Sequence, residues 1–146
     1  MSIWFGGFFP IEYVNQKAHG CVNGLLGIEI TKAGDDYLQG TMVVDERTRQ
    51  PAGYLHGGAS ALFSETLASW AASFVQDPEQ FHAVGLEINA SHMRPGNPGD
   101  VLTGTATPLK LGRNVQFWQV EIVNSENKLV CASRVTMAVL EKPSEY

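Results

Sequence analysis

The sequence predicts an α+β fold, with a curved antiparallel sheet wrapped around one long central helix. Three observations carry that reading. Residues 58–75 form a proline-free run rich in helix formers, with large apolar side chains at helical spacing. Four strand-like runs follow, divided by clusters of turn-forming residues. No helix intervenes between those runs, which is segregation rather than βαβ alternation.

Taken in order, residues 11–23 read as a short helix that Gly20 interrupts. Residues 25–30 read as a strand, and Ala33-Gly34-Asp35-Asp36 as a turn. Residues 37–44 alternate and pair back as a hairpin, while Pro51 and Gly53 make 47–55 a loop. In the long helix Phe63, Leu67, Trp70 and Phe74 form one stripe of large side chains. Gly58, Ala61, Glu65, Ala68, Ser69 and Ala72 lie opposite, nearly all small. A helix without a charged face is expected to be buried on most sides. The later strands are 82–93, 101–109, 115–123 and 129–140, with short turns joining the last three, so antiparallel pairing is expected. The C-terminal residues 141–146 are expected to fray.

The composition, 44% hydrophobic and 17% charged over 146 residues, suits a single domain spanning 1–146. A net charge of −5 argues against nonspecific nucleic-acid binding, and an anionic ligand would require a local cluster of donors. Cys21 and Cys131 match no metal or redox spacing and read as free thiols, which suits a reducing compartment. The apolar N-terminus lacks a basic leader region and is broken by Gly6, Gly7 and Pro10. No run approaches the roughly 20 apolar residues that cross a bilayer. A cytoplasmic protein without membrane association is expected, with Trp4, Phe5, Phe8 and Phe9 covering a core edge or a subunit contact.

The chemistry is expected in residues 50–69. Glu65 is the sole charge of the helix, and a buried carboxylate is costly unless paired or protonated. On a plain structural reading it reaches solvent or accepts a hydrogen bond from Ser69. His56-Gly57-Gly58 opens the helix, where the first amide N–H groups have no internal partner and suit a polarised carbonyl or an oxyanion. The same glycines also suit a tight loop-to-helix junction. His56 either orients the loop carrying Gln50 or contributes to the site. His19, His56, His82 and His92 show no metal-ligand spacing, so no metal is expected, and no GxSxG elbow is present. His92, Arg94, Lys110 and Arg113 fall at strand ends or turns. They read either as solvated surface or as a site for phosphates.

The run His56-Gly57-Gly58-Ala59-Ser60-Ala61-Leu62, followed by Ser64-Glu65-Thr66-Leu67-Ala68-Ser69, resembles the active-site helix of hotdog-fold thioesterases of the glutamate type, related to 4-hydroxybenzoyl-CoA thioesterase. It is most similar to the branch with the 1,4-dihydroxy-2-naphthoyl-CoA and enterobactin-pathway proofreading thioesterases. The likeness extends through Val44-Asp45, Gln50-Pro51, Val84-Gly85, Asn89-Ala90, His92, Arg94-Pro95 and Leu111-Gly112-Arg113. The resemblance implies a hotdog domain that hydrolyses an acyl-CoA or acyl-carrier-protein thioester, with an aromatic acyl group favoured. Glu65 would be nucleophile or general base, the Gly57 amide would polarise the carbonyl, and Gln50 and His56 would position the reacting groups. Ser69 and Gly85 would contact substrate or water, and His92, Arg94, Gly112 and Arg113 would hold CoA. No cofactor is implied, because CoA is part of the substrate. The resemblance further implies a homodimer or homotetramer with sites shared between chains. Trp70 and the aromatic N-terminus depart from the family pattern and bear on the acyl pocket. An enoyl-thioester hydratase on the same fold and a non-catalytic acyl-CoA binding module are the alternative readings.

Overall fold

A computed structural model describes residues 1–143. Two short helices, α1 (Ile11–Lys17) and α2 (Val22–Leu25), precede strands β1 (Glu29–Ala33) and β2 (Leu38–Val43). The long helix α3 (Gly57–Val75) follows, then β3 (Phe81–His92), β4 (Val101–Leu111), β5 (Val115–Val123) and β6 (Leu129–Glu141). The strands form one sheet in the order β1-β2-β4-β5-β6-β3, and every neighbouring pair is antiparallel. The chain therefore leaves β2 near one edge, runs through α3 across the sheet, and returns as β3 on the opposite edge. Packing of α3 against β2, β3, β4, β5 and β6 makes this the hotdog arrangement the sequence predicts. Residues 144–146, part of the segment expected to fray, lie outside the described residues.

Strand alternation builds the core. Leu102 and Ala106 of β4, Trp118, Val120 and Ile122 of β5, and Val135 and Met137 of β6 are all fully buried, with their neighbours turned outward. Phe63, Leu67, Ala68, Ala71 and Ala72 of α3 are equally buried against them. Close approach of the helix depends on Gly40 and Gly104, which pair across β2 and β4. A Cβ on Gly40 would lie 2.9 Å from Leu67 Cδ2, and one on Gly104 2.9 Å from Phe63 Cζ.

Several boundaries differ from the sequence reading, each for a local reason. The helix expected over 11–23 splits in two, because Gly20 adopts φ +78° between α1 and α2. Residues 25–30 are not a strand throughout: α2 reaches Leu25, Gly27 turns with φ +68°, and β1 begins at Glu29. The edge of β1 is closed by Asn15, whose side chain donates to Ile30 O and accepts from Ile30 N–H, each at 2.8 Å. β4 runs past residue 109 because the register slips between Pro108 and Lys110, a bulge that accommodates a residue with no N–H to donate. At the N-terminus Trp4 and Phe9 are buried and cover a core edge. Phe5 and Phe8 face outward.

The expectation of a helix buried on most sides needs correction. Trp70 and Phe74 are only half-buried, and Glu65 is exposed in the single chain. The open face of α3 lies near the β3 edge, where the sheet ends.

Candidate functional site

Residues 44–56 form a braced loop leading into α3. Thr48 is buried, with its hydroxyl donating to Val43 O at 2.7 Å and accepting from Asp45 N–H at 3.1 Å. The Arg47 guanidinium pairs with Asp45 at 2.6 Å and holds that carboxyl below the usual carboxylate range. Gln50 starts a tight turn in which its N–H donates to Tyr54 O at 2.7 Å and Gly53 takes φ +94°. The Gln50 Oε1 accepts from Ala52 N–H. His56 N–H then donates to Thr48 O at 2.8 Å, which fixes where the helix starts.

His56 is the N-cap. Its Nδ1 accepts from Gly58 N–H at 2.8 Å, while Ala59 and Ser60 N–H donate to its carbonyl at 2.9 and 3.3 Å. Gly57 N–H alone of this first turn has no acceptor among the described residues, and it sits at the positive end of the α3 dipole. The His92 ring lies over Gly57, so a Cβ there would be 2.9 Å from His92 Nε2. Gln50, Gly57, Ser60, His92 and Arg94 line one open depression of about 540 Å³. Ser60 is a member that sequence reasoning missed. Its Oγ is buried without a partner among the described residues, and nothing about a serine in a small-residue run marks it out beforehand.

Glu65 lies elsewhere. Its carboxylate rests on the β3 backbone, and a Cβ on Gly85 would collide with Oε1. Among the described residues Glu65 has neither an ion pair nor a hydrogen-bond partner. The expected partner Ser69 instead directs its hydroxyl to Met137 Sδ at 3.9 Å. Glu65 and Ser69 line a second depression of about 500 Å³ with Asn23, Thr66, Trp70 and Ser73. Eight residues of helix separate Gly57 from Glu65, about 12 Å along the axis. One carbonyl cannot touch both within a single chain.

The basic residues do not form one cluster, contrary to the sequence reading. His92 pairs with Cys131 on β6, and Arg94 Nη1 donates to Leu129 O at 2.7 Å. Gly112 and Arg113 sit in the β4–β5 turn, where Gly112 N–H donates to Val115 O at 3.0 Å and Val115 pairs with Ala138. Seven residues of β6 separate Cys131 from Ala138, about 23 Å along the strand. Gly85 pairs with Met137, so Glu65, Gly85, Gly112 and Arg113 belong to one end of the sheet. Gln50, Gly57, His92 and Arg94 belong to the other. His56 joins neither group, because its exposed ring lines a smaller hollow with Arg47, Arg49 and Leu62. Among the described residues no cluster of His, Cys, Asp or Glu gathers as a metal site would.

Comparison with known proteins adds a family to this geometry. Residues 52–131 match the thioesterase superfamily. The chain is 45% identical to the 1,4-dihydroxy-2-naphthoyl-CoA hydrolase of Escherichia coli over 89% of its own length and 94% of that protein's. It is 45% identical to the proofreading thioesterase EntH of Cronobacter turicensis, covering 89% of this chain and 93% of that one. The crystal structure of a thioesterase from Haemophilus influenzae superposes with a TM-score of 0.91 at 43% identity, covering 99% of both chains.

Proposed function

Because this chain belongs to the thioesterase superfamily and is a thioester hydrolase, we propose that it cleaves acyl-CoA at sites shared between two copies. The observation that carries the proposal is the division of the site residues. The free Gly57 N–H and the Glu65 carboxylate open into separate depressions toward opposite ends of the same edge strand. β3 is long, pairs with no strand but β6 among the described residues, and carries exposed Val84 and Leu86. Unpaired edges of this kind invite a partner strand. Antiparallel pairing with a second β3 opposes the Gly85 end of one copy to the His92 end of the other. Each site then unites Glu65, Gly85, Gly112 and Arg113 of one chain with Gln50, Gly57, His92 and Arg94 of its twofold mate. A homodimer is the smallest assembly with complete sites, and a homotetramer pairs two of them.

In such a site the Gly57 N–H donates to the thioester oxygen and stabilises the negative charge that develops there. The Glu65 carboxylate either attacks the carbonyl carbon itself, forming a mixed anhydride that water then hydrolyses, or takes a proton from a water molecule whose oxygen attacks in its place. In either case that water supplies the proton for the departing thiolate. The carbon–sulfur bond then breaks, CoA leaves as its thiol, and the acyl group is released as the acid. His92, Arg94 and Arg113 supply donors for the pantetheine and phosphates. The chemistry draws on no cofactor beyond the CoA of the substrate. A hydratase reading gains no support, since His56 caps the helix and lines a different hollow from Glu65. No described helix is long and apolar enough to cross a membrane, and a cytoplasmic location is proposed with the substrate.

The test is free-thiol release from aromatic and straight-chain acyl-CoAs, with wild type, Glu65→Gln and Gly57→Val. Each variant alone should lose at least about 10²-fold in kcat. Refolded together, the two variants should recover roughly a quarter of wild-type activity, because half of the random dimers carry one intact site. Wild-type activity in Glu65→Gln would remove the proposed chemistry. Inactive variants that fail to complement would remove the shared site.

A further inference from the structure

Helix α2 (Val22–Leu25) supplies part of the wall beside Glu65, since Val22 and Asn23 line the same depression as that carboxylate. Little packing holds it there. None of its four residues is buried, and it is flanked by Gly20 and Gly27, whose φ values are +78° and +68°. The half-buried Leu26, next along the chain, lines a further hollow of about 210 Å³. Leu26 also reaches the core, and the Thr66 hydroxyl donates to Asn23 Oδ1 at 3.3 Å.

Arg47 adds a tie from the opposite side. Its Nε and Nη2 donate to the Asp45 carboxylate at 3.1 and 2.6 Å, which fixes the guanidinium to the root of the 44–56 loop. That root is firm, because Asp45 O accepts from both Thr48 and Arg49 N–H, at 3.1 and 3.0 Å. The flat face of the guanidinium lies on Gly27. A Cβ there would be 2.6, 2.8 and 2.9 Å from Nη1, Nη2 and Cζ, over the plane of the group rather than at its rim. Gly27 is continuous with α2, for its N–H donates to Gly24 O at 3.0 Å and Ile28 N–H donates to Asn23 O at 2.9 Å. Among the described residues no hydrogen bond joins the 44–56 loop to residues 20–28, which leaves the stacked guanidinium as their polar link.

We infer that Arg47 is a positioning residue: anchored on the braced loop, it holds α2 in place as the wall on which the acyl group packs beside Glu65. The inference rests on the proposed cleavage at Glu65, and it concerns a residue that touches no reacting atom. A planar fork can bind a carboxylate along its edge and cover a glycine with its face, whereas a lysine ammonium cannot do both.

The experiment uses Arg47→Met and Arg47→Lys. Amide hydrogen exchange over residues 22–28 should quicken about tenfold in both, with β5 unchanged. With hexanoyl-CoA, KM should rise about tenfold while kcat stays close to wild type, the pattern expected when binding common to ground and transition states is lost. Inhibition by free CoA, which lacks the acyl group, should be unaltered. Unchanged exchange in α2 overturns the inference, and so does faster exchange throughout the chain, the mark of a general loss of stability. An unchanged KM, or a loss shared equally by free CoA, overturns it as well. Dissociation constants of hexanoyl-CoA and CoA on Glu65→Ala protein, with and without the Arg47 change, repeat the comparison without turnover. A failure of the proposed chemistry is thereby told apart from a failure of the role given to Arg47.

Discussion

At the scale of single residues, two glycines define where functional side chains can lie. Gly57 carries the unpaired N–H of the α3 terminus and lies directly beneath the His92 ring. Gly85 lets the Glu65 carboxylate settle on the β3 backbone. Neither has a left-handed backbone, so both are required for space rather than for conformation. Gly85→Ala should therefore push Glu65 from its place and lower kcat by about 10²-fold, the cost of misplacing a reacting group by roughly an ångström. Steady-state kinetics checks this, and a loss confined to KM would contradict it. The two cysteines behave as the spacing suggests, both free. Cys21 is exposed, while burial pushes the Cys131 thiol above its ordinary pKa.

At the scale of elements, α3 combines two demands that pull against each other. Its N-terminus must end in an open depression, and its middle must press into the sheet. His56 meets the first by capping with its own Nδ1, which leaves Gly57 N–H, alone in the first turn, without an acceptor among the described residues. The Gly40–Gly104 pair meets the second by admitting Leu67 and Phe63. Gly104→Ala should force those side chains off their rotamers and cost about 1–3 kcal/mol. Chemical denaturation should show the loss as a lower midpoint, and an unchanged midpoint would contradict the tight contact. Pro108 is the other demanding residue. A central strand carries it because the bulge before Lys110 absorbs the missing ladder bond.

At the scale of the whole molecule, the sheet is asymmetric in its edges. β1 is short and its Ile30 backbone is occupied by Asn15, whereas β3 is long and open. Exposed Leu86, at the register slip between Gly85 and Glu87, lies in the middle of that open edge. Leu86→Asp should place two like charges close together across the proposed twofold. The expected result is a monomer by sedimentation, with circular dichroism preserved and thioesterase activity lost. An active monomer would show that one chain suffices.

The helical run 58–75 and its lone Glu65, the strand runs, and the turns between them were legible in the sequence, because periodicity and turn chemistry are local properties. A motif whose spacing is itself sequential also singled out Gln50, Gly57 and His92, which line one depression, and Gly85, which lies under Glu65, whereas His56 caps the helix and lines a different hollow. Whether Glu65 is buried or reaches solvent was not legible, because that depends on where the sheet ends rather than on neighbours along the helix. Nor was the grouping of the basic residues, since strand register puts the β6 partners of His92 and of Val115, next to the turn that carries Arg113, about 23 Å apart along that strand. Ser60 and Asn23 entered only with tertiary structure. A buried hydroxyl without a partner among the described residues and an asparagine brought beside the Glu65 depression are relations between distant segments, and no periodicity in the chain records them.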